Sequence, residues 1–539
     1  MIKNNLEIEL AGFWPRIDIK NKKLRKKIGK DFLGPDYIIS FLQKAVYKSV
    51  PLIEGLEEEI LKEEDVRKTA FDKFSSSMLR GHSLDGSAGV TLKLHGSKLL
   101  DSALTGLVFS RSFVTSGRRA KISKENIIIP EAIDKNHNLR KEYLKTSETA
   151  IDIYNKIIEK TGSKQLAAKV VSYNNPCDLY IVLPLSSITT IALELEQQKK
   201  NNQVWLPREV EELISRLEDE ILFKIDMKIM YETRKAALRD TYLHWYPFKP
   251  KDENFASEMA ELTNSLEPEL IAPSINIQPT KGLREKLKYL EEKIKYTHTI
   301  SDPKELVRTA RENLLLLRDI VDSYNDSISI KTTSSLSWRV WSEQKRHSTL
   351  KQCVESVYKA SDRAYNIIEE ARNNEDFCKM PEKAFVIPQE IKKDKELLKD
   401  YVLISSEQHL LRKKLLSAGI EERDAIYVVP RNTILRTVEN YDLINMIDLE
   451  LPLRTCTTCE PERRTTAEKK AEIISEIMNK IGLPEISYMI GPKCILGYCT
   501  EPKFCGKILK YNSDYSISLH NQVRENLIKE VSDKIRKIK

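Results

Sequence analysis

The sequence predicts an α+β chain built from two related units, and three observations carry that expectation. Short apolar runs of strand length are interleaved with stretches of helical periodicity. An apolar string with an internal proline occurs in both halves, followed in each by a helical stretch and a second such string. A segment rich in proline, serine and charge separates the two halves.

Size and composition agree with a globular reading. At 539 residues, 41% hydrophobic and 31% charged, the chain is too long for one ordinary core and too apolar for a disordered polymer. Length alone points to roughly three or four domain-sized units. The net charge of +8 comes from 88 basic and 80 acidic residues, a mild excess that does not by itself indicate a nucleic-acid binder. The densest basic run, Lys20 to Lys30, reads as a solvated edge. No run of about 18 apolar residues occurs. The stretch from Tyr180 to Leu193 comes closest and is interrupted by Pro184, Ser186 and Ser187. The opening "MIKNNLEIEL" lacks the apolar centre of a secretion signal. The expectation is a cytoplasmic protein with no membrane partner.

Along the chain, the first eighty residues read as charged, amphipathic and largely helical. Then Val90, Leu92 and Leu94 alternate between glycines, which predicts a short strand. In the first half "NIIIPEAI" leads through a helical stretch to "DLYIVLPLSSITT"; in the second "AFVIPQEI" leads to "AIYVVPRNTILRT". This pairs Pro130 with Pro388 and Pro184 with Pro430, at offsets 388 − 130 = 258 and 430 − 184 = 246, so about a dozen inserted residues separate the copies. Between them, residues 246–280 read as a connector with at most one short helix, followed by two helices in "LREKLKYLEEKIKYT" and "PKELVRTARENLLLLRDIVDSY".

The chemistry concentrates in the second half. "WRVWSEQKRHSTLKQCVESVYKA" reads as a strand exit and a helix, with Arg346 beside His347 and Ser356 at the far end of the helical stretch. A guanidinium fork suits phosphate or a flavin edge, and a hydroxyl can donate to or accept from a nucleotide. Arg454 follows the apolar run "INMIDLELPL", a costly place for a cation unless it is paired, as with Glu460 or Glu462, or bound to an anion. Five of the eight cysteines (Cys456, Cys459, Cys494, Cys499 and Cys505) crowd the last quarter. Such a pattern is no disulfide scaffold; it reads as buried reduced thiols or, alternatively, a structural zinc site.

These segments resemble the flavin-dependent thymidylate synthases, whose motif is R-H-R-x-x-S-x-N-x-x-S-x-R. Arg346, His347 and Ser356 fall on its first arginine, its histidine and its last serine, and Arg454 on a later Leu-Arg arginine. Asn440 begins the helix that leads to Arg454, and the tail "GPKCILGYCTEPKFCGK" is much like the family's. The resemblance spans about residues 325–510, with a fainter copy over 80–245 in which Phe109 and Ser110 replace the first two motif residues and Arg111 matches the third. Ser348 and Tyr358 replace motif arginines, and Ile426 stands where the family has a substrate-binding arginine.

What the resemblance implies is specific. Each unit is a twisted, mostly antiparallel sheet flanked by long helices. FAD reduced by NADPH passes a methylene group from methylene-tetrahydrofolate to dUMP as methyl, giving dTMP. Arg454 and Ser356 are catalytic and converge on one pocket. Arg346, His347, Asn440 and Asn445 hold FAD, while Ser356, Glu355, Arg431 and Arg454 bind the nucleotide. Arg436 also lies near the position that Ile426 fills, and His82, Arg111, Arg118 and Arg119 can reach in from the other half. No catalytic metal is expected. The implied organisation is a helical extension over 1–79, a degenerate unit over 80–245, a connector over 246–324, a catalytic unit over 325–510 and a charged tail over 511–539. A homodimer then reproduces the family's homotetramer. The missing arginines leave a second reading open, a nucleotide-binding or scaffold protein without catalysis.

Overall fold

The computed structural model describes residues 6–45, 51–78, 87–105, 111–114, 122–237, 247–251, 256, 258, 267, 269–346, 349–372 and 380–536. They fall into two compact units. The first comprises residues 1–252, 337–348 and 356–434; the second comprises 253–336, 349–355 and 435–539. The fold is α+β with antiparallel sheets. Among the described residues no helix is long and apolar enough to cross a membrane.

In the first unit, β1 (Glu7–Trp14), β4 (Gly89–Ser97), β6 (Pro176–Pro184) and β5 (Arg111–Val114) form a sheet in that order; the short strands β2 (Ile17–Asp18) and β3 (Phe32–Leu33) pair separately. The alternation that predicted β4 is realised, with Val90, Leu92 and Leu94 fully buried. In the second unit, β7 (Leu270–Ile277), β8 (Ile328–Ser337), β10 (Ile434–Asp442) and β9 (Lys351–Val354) form a sheet in that order. Each sheet therefore orders its strands first, second, fourth, third. The helices Lys281–Thr297 and Pro303–Tyr324 form where periodicity predicted them. Leu283, Leu287, Leu290 and Ile294 of the first, with Leu317, Ile320 and Val321 of the second, bury the apolar stripe against Ile328 and Ile330. Full burial of each such side chain contributes roughly 1.5–3 kcal/mol.

Several elements of the two halves recur at two offsets. From β4 through β5 the offset is 240: Ser97 and Ser337 each cap a seven-residue helix, Lys98–Leu104 and Trp338–Gln344, and β5 at Arg111 matches β9 at Lys351. From Pro130 onward it is 258. Asn136 and Asp394 cap the long helices His137–Thr161 and Lys395–Ser417 with their side chains, and β6 and β10 start at Pro176 and Ile434. The 258 − 240 = 18 extra residues fall between β9 and Pro388, where the helix Val357–Arg372 lies.

Buried hydrogen bonds repeat with the same offsets. Tyr143 donates to the Ile128 carbonyl at 3.1 Å, and Tyr401 to Val386 at 2.9 Å. Asn174 donates to Ser147 at 2.7 Å, and Asn432 to Ser405 at 2.8 Å. Within the first unit, matched residues also meet one another. The Ser102 and Ser342 hydroxyls are 3.2 Å apart, and Ser172 forms a β-bridge with Pro430. Lys156 pairs with Asp400 at 2.6 Å while Lys414 pairs with Glu142 at 2.5 Å, the same contact with the halves exchanged. These exposed pairs contribute little energy but fix how the two long helices align.

Several sequence expectations change here. Pro184 does not match Pro430. Pro184 and Asp442 both precede the helix that follows the last strand, whereas Pro430 lies ahead of β10 and matches Ser172. No dozen-residue insertion separates them; the apolar runs looked alike only because "AIYVV" is apolar, and it forms the 3-10 turn Ile426–Val428 instead of a strand. The proline-rich connector contains the strand β7, which lies at the edge of its sheet. The N-terminal stretch contributes β1, paired to β4, beside its helices.

Two outcomes follow from this packing. Tyr143→Phe and Tyr401→Phe should each cost about 1 kcal/mol in denaturant unfolding, because each removes one buried donor from a matched carbonyl. His409 is fully buried, and burial holds its pKa down at about 3. Between the ordinary imidazole value and pH 3 the unfolded chain then binds a proton that the folded chain does not. Stability should fall as pH falls through that window, by up to about 1.4 kcal/mol per unit, and His409→Gln should flatten the slope.

Candidate active site

The second unit holds a buried ionic network that ends at Arg454. Glu450 and Arg454 begin and end one short helix, Glu450–Arg454, and their four-residue spacing puts both on one face. The Arg454 Nε donates to Glu450 Oε1 at 2.9 Å, and Arg463 Nη2 donates to the same oxygen at 3.0 Å. Arg463 comes from the helix Pro461–Lys480, as does Lys470, which pairs with Glu439 of β10. Tyr441, two residues along the same strand, donates to Glu439 at 2.9 Å and accepts from Arg463 at 3.3 Å. Glu439, Glu450 and Lys470 are fully buried.

Burial sets the protonation of this network. It pushes the Lys470 ammonium down to about 8, with Glu439 acting against the shift. Burial also works against the Arg463 charge, but Tyr441, Glu439 and Glu450 outweigh it and hold the guanidinium cationic. Not every donor is used. Arg463 Nε and Nη1 and Arg454 Nη2 are buried without a hydrogen-bond partner, and the Arg454 guanidinium also hydrogen-bonds the Cys459 thiol. Unused guanidinium N–H groups beside a nearly closed charge network suit an acceptor-rich group such as a phosphate, a pyrimidine carbonyl or a flavin edge.

The other sequence-predicted residues distribute as follows. Asn440 lies within β10 and does not begin a helix; Asp442 caps the next helix instead, because its carboxylate accepts from the Asn445 N–H. Asn440 Oδ1 is buried without a partner, a free acceptor. The Asn445 side chain is occupied: it donates to the Thr349 carbonyl at 3.1 Å and to Asp442 at 2.6 Å, and accepts from the Thr349 hydroxyl at 3.0 Å. Glu355 is buried and accepts from the Arg436 backbone N–H at 3.1 Å.

In the first unit, Ser356 is fully buried and donates to the Lys249 carbonyl at 2.8 Å. It does not share a helix with Arg346: that helix ends at Gln344, and β9 intervenes. Arg346 is exposed. Arg431 is buried, donating to the Ser172 carbonyl at 3.1 Å and to Asn175 at 3.0 Å, with its guanidinium 5.5 Å from the Tyr173 ring. Burial lowers its pKa to about 10. Lys345, which the sequence reading passed over, is fully enclosed against the Ser102 carbonyl and Trp341; burial brings it to about 7, with Asp101 opposing. His82, Arg118, Arg119, His347, Ser348, Phe109 and Ser110 lie outside the described residues, and only the backbone of Arg111 is described.

Residues 329–479 match the family model of the thymidylate synthase complementing protein. The matched stretch includes β8, β9, β10 and the whole Glu439–Arg454–Arg463–Lys470 network, and stops short of the cysteine tail. The flavin-dependent thymidylate synthases of Pyrococcus horikoshii and Pyrococcus abyssi are 34% identical over 122 residues and 36% over 126. Each alignment covers 22% of this chain and 49% of the relative, so the chain spans about half the length of the curated relatives it matches. A solved UMP/dUMP methylase from Streptomyces cacaoi, bound with 5-Br dUMP, aligns at 11% identity and a TM-score of 0.29, covering 43% of this chain and 96% of that one; a likeness at that level carries no argument.

The matched stretch holds an ionic centre whose strand residues have apolar counterparts among the described residues of the first half. At offset 258, Glu439 and Tyr441 match Ile181 and Leu183, both buried in the apolar core of β6. Sequence reasoning also missed Glu450 as the partner of Arg454, placing it at Glu460 or Glu462; Glu460 instead caps its own helix by accepting from the Arg463 N–H at 3.0 Å. Glu450→Gln should destabilise the protein by about 3–5 kcal/mol in denaturant unfolding, because it strips a carboxylate from two buried guanidiniums. Glu396→Gln, which breaks an exposed contact to Lys156, should stay within about 1 kcal/mol. Equal costs would place the network outside the stabilising core.

Proposed function

We propose that this chain is a flavin-dependent thymidylate synthase whose second half carries the reaction. The reading rests on one coincidence: the family match over 329–479 contains the buried Arg454 network, which retains unused donors. In this reading FAD supplies the redox chemistry, with NADPH as reductant, methylene-tetrahydrofolate as carbon donor and dUMP as acceptor. The residues present fit such a ligand set. Arg454 Nη2 and the two open nitrogens of Arg463 offer donors to an electron-rich pyrimidine or isoalloxazine edge, and Asn440 Oδ1 offers an acceptor. Arg454, fixed by Glu450, stabilises negative charge on the pyrimidine ring without having to be reoriented at each turnover. Arg346, being exposed, is free to meet a phosphate.

The halves belong to a duplicated chain in this proposal. Matched caps, matched buried hydrogen bonds and contacts such as Ser102 with Ser342 support it. A duplicated chain would dimerise to reproduce a four-unit assembly. The first half would be the eroded copy, since its β6 carries Ile181 and Leu183 where β10 carries Glu439 and Tyr441.

A second reading, a nucleotide-binding protein without catalysis, draws on Ser356, Arg431 and Asn445, whose polar atoms are committed to internal bonds. Complementation separates the two. Expressed in a host that requires thymidine, the intact chain should restore growth without it, and Arg454→Ala should not, while accumulating to the same soluble level. Growth with the alanine variant would overturn the role of Arg454. Failure of the well-expressed intact chain would favour the binding protein.

A further inference from the structure

The cysteine tail was absorbed neither by the family match nor by the ionic network. Cys456, Cys494, Cys499 and Cys505 all line one cavity of about 200 Å³ in the second unit, with Lys493 and Lys507 among its other walls. The tail around them is irregular: between Ile490 and Ser516 it forms only two 3-10 turns, so few backbone hydrogen bonds hold it.

Two polar contacts tie the Cys456 turn to this tail. Lys507 donates to the Thr455 carbonyl at 2.6 Å, which sets the residue before Cys456 against the segment two residues after Cys505. Thr458 lies within 3.3 Å of the Cys456 sulfur and 3.4 Å of Glu501. The four thiols differ in access. Cys494 and Cys499 are buried, and burial together with the neighbouring thiols pushes Cys494 up to about 12 and raises Cys499, so both resist forming thiolates. Cys505 is exposed and Cys456 half-buried, both on a wall that carries two lysines. Among the described residues no group of three histidine, cysteine or acidic side chains is arranged to hold a metal ion.

We infer that Cys456 and Cys505 form a reversible disulfide by exchange with a small-molecule disulfide, stapling the tail to the turn that follows Arg454. The Cys505 thiolate attacks one sulfur of the small disulfide. That S–S bond breaks, one small thiolate leaves, and a mixed disulfide remains on Cys505. The Cys456 thiolate then attacks the Cys505 sulfur and expels the second small thiolate. Two protein thiols are oxidised, one small disulfide is reduced to two thiols, and the two cysteine protons end on the released thiols. The turn two residues beyond Arg454 is then covalently bound to the tail, whose Cys494, Cys499, Ile508 and Tyr515 are packed in their own apolar cluster.

The test is peptide mapping of the full chain. The reduced protein is incubated with oxidised glutathione, its free thiols are alkylated, and it is digested without reductant for mass spectrometry. The expected product joins the peptides that contain Cys456 and Cys505, lighter than their sum by two hydrogens and separated by dithiothreitol. Cys505→Ser should abolish it, whereas Cys353→Ser, at a strand position away from the cavity, should leave it intact. The inference is overturned if both cysteines remain fully alkylated. It is equally overturned if glutathione stays on Cys505 with Cys456 free, or if the link joins Cys456 to Cys459 or Cys494 to Cys499. Stoichiometric zinc that shields the thiols until chelation would overturn it too.

Discussion

One carboxylate, that of Glu450, organises the second unit. It receives Arg454 from its own short helix and Arg463 from the next long one, and so ties the turn after β10 to the helix that covers the sheet. A buried ionic group is costly to desolvate and is retained only when its partners satisfy it. Glu439 repeats the arrangement one layer away with Lys470 and Tyr441. The first half has apolar Ile181 and Leu183, both buried, at the matched strand positions. The ionic version leaves guanidinium donors unused.

The matched positions of the two halves differ in a consistent way. Where they meet within the first unit, the matched residues are small or polar and preserve the contact: Ser102 against Ser342, Lys156 with Asp400 and Lys414 with Glu142. Where each half builds its own strand surface, the chemistry differs. Among the described residues, the helix Val357–Arg372, preceded by Ser356, has no counterpart in the first half.

Much of the fold was legible because it rests on local periodicity and caps. The helices that begin near Lys281 and Pro303 follow from apolar spacing, and β4 from the alternation of Val90, Leu92 and Leu94. The repeat was legible at Pro130 and Pro388, which both precede a capped long helix, and illegible at Pro184 and Pro430, where composition imitated register. Strand β7 was hidden by its proline, which an edge position tolerates. In the site, the signal for Glu450 was present: a glutamate four residues before Arg454 on one helix turn. The commitment of Asn445 to Thr349 and of Ser356 to the Lys249 carbonyl was not, since those partners are distant in sequence.

The central claim is that the second half binds a flavin and uses it. The most direct measurement is the visible spectrum of the purified full chain after loading with FAD and gel filtration, followed by anaerobic addition of NADPH. The account predicts flavin absorbance that travels with the protein and bleaches on adding the nucleotide. A chain that leaves the column colourless, with FAD recovered in the small-molecule fractions, would contradict it.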